Sequence, residues 1–247
     1  MENNYFQADF LKQNEKLISF DIEIAKALPD DFGDFKSHRP LGISCAAGVT
    51  HDDHVYLWHG GQGQGDFTSS MSVGEVRSMV DQLWKKYQDG YHILTWNGLG
   101  FDFDILFEES GGDPRCRQMA LDHVDMMFHF FCIKGYALSL EKAANGMGLV
   151  GKLEGMDGSL APNLWKQGEF KKVLDYVVQD AQTTLDIYRA VAREKKLRWT
   201  SNRGVPAHCA LPDGWLTAND AISLPEPDTS WMRDPWPREK FTGWLAA

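Results

Sequence analysis

The sequence lacks the features that mark several large classes of protein. It has four cysteines, and none is spaced as in a zinc site or a redox motif. No apolar run is long enough to cross a bilayer, and the first residues show neither the basic start nor the apolar core of a signal peptide. These absences predict a soluble, globular, cytoplasmic protein with reduced thiols.

Positive charge is also scarce, because 25 Lys and Arg residues stand against 35 Asp and Glu residues, for a formal net charge of −10. A protein that coats nucleic acid is normally basic, so the composition argues against that class. It leaves open an enzyme that holds only a few nucleotides at a strand end. Metal-binding carboxylates would explain part of the acidic excess.

A phosphate-binding P-loop and an internal repeat are missing as well. The glycine-rich stretch 60–65 does not end in the Lys-Ser/Thr pair that a P-loop requires. Hydrophobic periodicity instead predicts strands first and then alternating strands and helices, which indicates an α/β sheet flanked by helices. The strands are expected at 16–24, 41–49, 55–58 and 91–96, and the main helices at 73–87, 139–145 and 169–196. The helix at 139–145 is expected to be closed by Gly146 and Gly148.

The first predicted strand carries two carboxylates on one face. Apolar residues alternate along it with polar ones, and successive side chains of a strand point to opposite faces, so Asp21 and Glu23 emerge together. Two carboxylates on an otherwise buried strand are costly to desolvate unless something cationic meets them. A divalent metal ion is the obvious candidate.

Two more acidic motifs follow in the chain. Asp102 comes directly after segment 97–101 (NGLGF), which is predicted to be a strand-to-helix turn, and Asp180 lies four residues after Tyr176 on a predicted helix. Four carboxylates around one site would repel one another unless divalent cations balance them, and such oxygen ligands suit Mg²⁺ or Mn²⁺. Two of these ions form the standard clamp for phosphodiester displacement.

The three motifs, in this order, resemble the DEDD family of 3′–5′ exonucleases, which has a ribonuclease H-like fold. The resemblance spans roughly residues 17–188. The tyrosine subclass of that family has Tyr four residues before the last aspartate, where this chain has Tyr176, whereas the histidine subclass would have His in place of Asp175. Segment 151–159, together with the helix of Tyr176 and Asp180, is similar to stand-alone bacterial proteins related to the proofreading exonuclease domain of family B DNA polymerases.

The resemblance implies a site and a substrate. Tyr176 would help to orient the attacking water, and two Mg²⁺ or Mn²⁺ ions would be held by carboxylates. The implied metal ligands are Asp21, Glu23, Asp102 and Asp180. The implied partner is a nucleic-acid 3′ end, with single-stranded DNA favoured over RNA. The residues expected to contact it are Asn97, Phe101 and Lys152.

Several of these residues have a structural alternative. Asp104 competes with Asp102 for the role in the second motif. Phe101 is better explained as a core residue, and Asn97 as a residue that satisfies backbone groups in its turn. The pair at 176 and 180 could be solvated on a surface helix, although it lies beside the apolar stripe of that helix.

Other polar residues are explained best without a function. The polar segment 51–54 is expected to be a hairpin turn, and His123 and Asp125 to be satisfied structural residues. The basic run at 189–203 suits a helix C-terminus, where the helix dipole favours each cation by about 0.3–1 kcal/mol. Its functional alternative is an edge that tracks phosphates, with Trp199 stacking on a base.

The last fifty or so residues differ in character from the rest. Prolines and tryptophans crowd this segment, periodicity is weak, and one short helix is expected at 217–224. We therefore predict a ribonuclease H-like exonuclease domain at 1–198 and an ordered Trp/Pro-rich extension at 199–247, packed on the domain or on a partner. The family pattern explains neither this extension nor the long loop at 25–40, and the chain has no polymerase domain.

The sequence as a whole predicts a metal-dependent 3′–5′ exonuclease that releases nucleoside 5′-monophosphates from single-stranded or frayed ends. The alternative is a non-catalytic nucleic-acid end-binding or scaffolding module of the same fold. Such a module would be expected to have lost at least one carboxylate of the set, and all four are present.

Overall fold

The computed structural model describes residues 15–29, 31, 33–63, 65–151 and 158–246. The strands are β1 (Leu17–Ile24), β2 (Ile43–Thr50), β3 (Val55–His59), β4 (His92–Thr95), β5 (Val124–Asp125), β6 (Lys196–Thr200) and β7 (Pro206–Ala210). The first five form one mixed sheet in the order β3-β2-β1-β4-β5. β1 and β3 run antiparallel to β2, while β1, β4 and β5 are parallel to one another.

Helices cover both faces of this sheet. They are α1 (Val73–Gln88), α2 (Asp102–Glu109), α3 (Pro114–Asp122), α4 (Met126–Lys134), α5 (Leu140–Met147), α6 (Ala161–Lys166), α7 (Phe170–Glu194), α8 (Ala218–Ile222) and α9 (Glu239–Thr242). The predicted α/β class, with a ribonuclease H-like mixed sheet between helices, is confirmed. None of the helices in the described part of the chain combines the length and the hydropathy that crossing a bilayer requires.

Side chains of β1 alternate between two core clusters, one on each face of the sheet. Ile18, Phe20 and Ile22 join a cluster on the face covered by α1 to α3, whereas Leu17 joins a cluster on the face covered by α5 to α7. Asp21 and Glu23 share the face of Leu17, so they lie under α7. The four cysteines are free and buried, each in the interior of the domain.

The predicted loop at 25–40 contains a short 3-10 helix, Phe35–His38, and is tied to α2 by charge. Arg39 lies 2.6 Å and Lys36 3.2 Å from a carboxylate oxygen of Asp104, which is buried. Arg39 also pairs with Glu108 at 3.2 Å. Two cations around one buried carboxylate satisfy a group that would otherwise be expensive to desolvate. Asp104 therefore has a structural role in holding this loop.

The predicted end of one helix is confirmed at Gly148 and wrong at Gly146. The helix expected to close at Gly146 continues through it to Met147, and the left-handed cap is Gly148 alone. Gly146 is required there for another reason, because a Cβ at this position would overlap the backbone of Arg198 and Trp199 in β6. The absence of a side chain lets α5 approach the β6–β7 hairpin closely.

The C-terminal extension is ordered and packs against the sheet domain. Its first strands, β6 and β7, form an antiparallel hairpin that the weak periodicity did not reveal, and the predicted boundary at 198/199 lies inside β6. The helix predicted at 217–224 is α8, capped by Thr217. Further along, Phe241 and Trp244 are buried in the core cluster on the α1 face.

Gly146 and Gly74 provide a matched test of this packing. Gly146→Ala should lower the free energy of unfolding by about 1–3 kcal/mol, because the added methyl overlaps backbone that cannot rotate away. Gly74→Ala in α1 should be neutral or slightly stabilising, because only Ser72 Oγ, at 3.9 Å, meets the added Cβ. Urea unfolding of both variants measures the difference. Equal stabilities would contradict the close approach of α5 to β6.

Candidate active site

A cleft of about 1100 Å³ opens beside the C-terminal half of β1. β1 and α7 contribute the predicted carboxylates, and the turn before α2, the loop at 25–40 and the C-terminal extension also line the cleft. The predicted site residues that line it are Asp21, Glu23, Asn97, Phe101 and Asp180. Residues more than 150 positions apart in the chain thus meet at one cavity.

β1 presents its two carboxylates next to an irregularity in the sheet. The register between β1 and β2 shifts between Glu23 and Ile24, where Ser44 is the extra residue of β2. The Ser44 hydroxyl donates to the carbonyl oxygens of Glu23 (3.0 Å) and Ile24 (3.3 Å) and so satisfies backbone groups at the shift. Bulges of this kind re-aim side chains at the edge of active sites.

Asp102 lies one layer behind the cleft surface and supports β1. β4 pairs with β1 only as far as Ser19, so the later backbone of β1 has no strand partner on that side. The Asp102 Oδ1 atom accepts a hydrogen bond from the Ile22 amide at 3.0 Å, between the two carboxylates of β1. The Asp102 side chain is buried in the first turn of α2, where the helix dipole favours negative charge.

Asp125 holds the turn that delivers Asp102. Its carboxylate accepts hydrogen bonds from the amides of Asn97 (2.9 Å), Leu99 (2.8 Å) and Phe128 (2.9 Å). The turn needs this support because Asn97 has a positive φ of 76°. The sequence favoured a satisfied structural role for Asp125, with a pair of His123 and Asp125 supporting the site residues as the alternative. Its position ahead of a helix start was the available signal for an N-cap, but nothing local connected it to the turn at 97–101.

Burial raises the pKa values of both aspartates. Desolvation lifts the pKa of Asp102 to about 7, and the negative charge of Asp125 adds to the shift. Desolvation lifts the pKa of Asp125 to about 6, although its backbone hydrogen bonds oppose the shift. The two buried aspartates are therefore harder to ionise than aspartates at the surface.

Tyr176 and Asp180 come from the middle of α7, one turn apart. Both are buried, and the Tyr176 hydroxyl is hydrogen-bonded to the Asp180 side chain. The pKa of Tyr176 is raised far above its usual value, first by burial and then by the charges of Asp180, Glu23 and Asp21. The hydroxyl is therefore protonated at neutral pH and lies within electrostatic range of the carboxylates of β1.

The predicted substrate contacts have different fates. Phe101 is half-buried and lines the cleft, with its ring edge-on to Phe35 at 5.2 Å between centroids. Asn97 also lines the cleft, but its side-chain oxygen makes no hydrogen bond within the described part of the chain, contrary to the expectation that it satisfies its own turn. Lys152 lies outside the described residues. Trp199 is buried against Phe130 at 5.0 Å, so it is a core residue.

The residues predicted to be structural make contacts within the fold. The ring of His123 is buried and contacts the Ala120 carbonyl oxygen (2.7 Å) and Thr95 Oγ1 (3.0 Å). In the basic run, Arg198 pairs with Glu194 at 2.8 Å and Arg189 approaches the His51 carbonyl at 2.6 Å. Arg198 therefore contacts the end of α7, and Arg189 contacts the residue that follows β2.

The donor set fits a hard divalent cation in chemistry and placement, since several carboxylates face one cleft and bear on one another electrostatically. Among the described residues, however, no three His, Cys, Asp or Glu side chains are already arranged to hold an ion.

The buried Asp102 predicts a pH-dependent stability difference. A carboxyl whose pKa is raised in the folded state binds a proton more tightly there, so its ionisation lowers stability as pH rises from about 4 to about 7. In EDTA, Asp102→Asn should therefore gain stability over the wild type between pH 5 and pH 8, on the order of a few kcal/mol.

The comparison with wild type is needed because His123 and His129, with pKa values lowered to about 4, oppose this trend. Urea unfolding at both pH values measures the difference. Asp186→Asn, at an exposed site of α7, is the control and should show no such gain. A stability difference that is independent of pH would contradict the raised pKa of Asp102.

Comparison with known proteins supports the fold and places the chain in a family. A family model described as the RNase_H superfamily matches residues 48–192, which is more than half of the chain and includes α7 but not β1. Among the solved structures that match is the family B DNA polymerase from the hyperthermophilic archaeon Pyrobaculum calidifontis, with 18% identity and a TM-score of 0.51.

That match covers 72% of this chain and 24% of the polymerase chain, so this chain spans a minor part of the polymerase's length. At this identity the likeness concerns the fold. No curated protein sequence matches significantly. The family match confirms the predicted resemblance at the level of the superfamily: the chain belongs to the RNase_H superfamily.

Proposed function

We propose that this protein is a metal-dependent 3′–5′ exonuclease. It hydrolyses the terminal phosphodiester bond at the 3′ end of single-stranded or frayed nucleic acid, with DNA favoured over RNA, and releases nucleoside 5′-monophosphates. A nuclease is the activity that the superfamily and the fold suggest. The direction of cleavage and the substrate preference are the finer parts of the proposal.

One observation carries the proposal. Carboxylates from β1 and α7 and the turn that precedes Asp102 meet at a single cleft, although they are scattered over more than half of the chain. Burying several acidic groups together costs stability unless cations or hydrogen bonds compensate their charge. Natural proteins retain such arrangements where they bind metals or perform acid–base chemistry.

In the proposed reaction, a water oxygen forms a bond to the phosphorus of the last phosphodiester. The bond from that phosphorus to the 3′ oxygen of the preceding nucleotide breaks. The water gives up a proton, and the leaving 3′ oxygen takes up a proton. Asp21, Glu23, Asp102 and Asp180 would hold two Mg²⁺ or Mn²⁺ ions. When bound, such ions lower the pKa of the attacking water and stabilise the charge that develops on the phosphate.

Tyr176 acts as a positioning residue in this scheme. Its raised pKa keeps the hydroxyl protonated, so it serves as a hydrogen-bonding group and does not serve as a base. The bond to Asp180 fixes the hydroxyl, which can then orient the water that attacks phosphorus. Asp102 accepts a hydrogen bond from the Ile22 amide and so holds the backbone of β1 between Asp21 and Glu23.

One observation favours the non-catalytic alternative, a nucleic-acid end-binding module. In the described part of the chain no metal-holding group of three side chains is preformed. Incubation with end-labelled oligonucleotides and Mn²⁺ separates the two functions. A panel of single-stranded DNA, duplex DNA and RNA, labelled at either end, gives polarity and substrate in the same assay. Binding without shortening would support the module.

Asp180 and Asp175 form a matched pair for testing the carboxylate set. Asp180→Asn should reduce hydrolysis at least about a hundredfold, because it removes a charged oxygen ligand from the cleft. Asp175→Asn should retain activity, because its side chain is 54% exposed and pairs with Lys171 on the surface of α7. Circular dichroism and thermal unfolding establish that both variants are folded. Full activity in folded Asp180→Asn would exclude the assignment.

Tyr176→Phe tests the positioning role separately. The variant should lose between about tenfold and a hundredfold in kcat, because the water is less well oriented, while KM for the oligonucleotide stays close to wild type. Steady-state hydrolysis of a single-stranded substrate over a range of Mn²⁺ concentrations measures both constants. An unchanged kcat would remove Tyr176 from the mechanism.

A further inference from the structure

We propose that the C-terminal extension supplies a nucleic-acid subsite to the cleft, in which Trp236 stacks on a base and Lys240 contacts an adjacent phosphate. This inference rests on the proposed function, since it places the bound strand in the same cleft. It assigns a role to the part of the chain for which the family resemblance offers no explanation.

The tryptophan lies where a bound strand would pass. Trp236 lines the cleft together with Phe101 and the acidic residues of β1, and 47% of its surface is exposed. Its ring is tilted by 52° against Phe241, with 6.3 Å between centroids, so Phe241 does not cover it by stacking. A half-exposed indole beside a cavity is available to stack on a planar ligand.

The backbone around Trp236 is held rigidly. Pro235 and Pro237 flank it and restrict its conformation. The Arg238 guanidinium is mostly buried and donates to the carbonyl oxygens of Ile222 (2.8 Å) and Leu224 (2.6 Å). An exposed indole on an ordered backbone has already lost much of the conformational entropy that binding would otherwise cost.

The extension is also tied directly to the turn that carries Asp102. Trp244 donates from its indole Nε1 to the carbonyl oxygen of Leu99 at 2.7 Å. Phe241 packs so closely on Gly100 that a Cβ there would lie 2.7 Å from the Phe241 ring. The distance between Trp236 and the acidic groups is therefore set by packed contacts, as base and phosphate recognition in one cleft requires.

Lys240 is the cation best placed to meet a phosphate. Of the lysines that line the cleft, Lys36 is paired with Asp104 at 3.2 Å and Lys26 donates to the His38 carbonyl at 2.6 Å. The Lys240 ammonium lies 3.7 Å from the centroid of the Trp236 ring and has no carboxylate partner among the described residues. This cation–π contact holds the ammonium over one face of the indole, so a base would stack on the opposite face.

The chemistry of the wall suits a single strand better than a small anion. Successive units of a strand offer a planar base and a phosphate, which match an indole and an ammonium side by side. Asp34 and Glu239 also line this wall, so its field is not uniformly positive. We therefore expect contact with one phosphate at this position, and no extended phosphate track.

The test measures binding without turnover. Fluorescence anisotropy of a labelled single-stranded oligo-dT in EDTA, at several salt concentrations, gives Kd and its salt dependence. Trp236→Ala should weaken binding at least about fivefold at every salt concentration, whereas Trp236→Phe, which keeps an aromatic face, should retain most of the affinity. Trp231→Ala is the matched control, because Trp231 is 66% exposed but does not line the cleft.

Lys240→Ala should have a different signature. Loss of one phosphate contact should weaken binding and reduce the slope of log K against log salt by about 0.7, which Trp236→Ala should leave unchanged. Lys196→Ala, at an exposed position in β6 away from the cleft, should alter neither quantity. Thermal unfolding of each variant shows that the extension remains packed.

A series of oligonucleotides with one abasic site locates the stacked base. At one position near the 3′ end, the abasic site should weaken wild-type binding about as much as Trp236→Ala does, and it should add nothing in that variant. The inference is overturned if the wild type does not bind the strand, or if Trp236→Ala binds as well as Trp231→Ala. If the variants lose affinity but the wild type hydrolyses nothing, the subsite stands and the exonuclease proposal fails.

Discussion

The carboxylate of Asp125 is the interaction on which the geometry of the cleft depends. It joins three backbone amides, two in the turn after β4 and one at the start of α4. That turn positions Asp102, the first residue of α2. The Asp102 carboxylate accepts a hydrogen bond from the Ile22 amide, on the side of β1 that has no strand partner there. The position of Asp21 and Glu23 thus follows from two buried side chains, Asp102 and Asp125, that accept hydrogen bonds from backbone amides.

These carboxylates also make the site costly to maintain. Burial raises the pKa values of Asp102, Asp125 and Tyr176, and the acidic neighbours of Tyr176 raise its pKa further. The fold withstands the cost because the core on both faces of the sheet is extensive and because Asp104, a third buried aspartate, is neutralised by Lys36 and Arg39. The same pair of cations holds the loop at 25–40 against α2. Charged residues therefore have two separate roles. The ion pairs of Asp104 hold the loop at 25–40, and the carboxylates of the cleft serve the proposed chemistry.

The C-terminal extension behaves as part of the domain. Phe241 and Trp244 enter the core, and Trp244 is hydrogen-bonded to the turn that Asp125 supports. The extension also borders the cleft, so residues distant in sequence from the acidic motifs shape the space in which a substrate would lie. The predicted boundary at 198/199 falls within β6, which runs from Lys196 to Thr200.

The sequence by itself determined the first four strands, the longest helices and the facing of β1, because period-two alternation and capping patterns are local properties of the chain. The order of the acidic motifs, through the resemblance to the DEDD family, marked Asp102, Tyr176 and Asp180. The local patterns did not reveal the β6–β7 hairpin, the passage of α5 through Gly146, or the link from Asp125 to the turn at 97–101. Each of these depends on partners far away in the chain. Only the tertiary structure decided which carboxylates line the cleft and which support it from behind, because burial and hydrogen-bond partners are set by packing between elements.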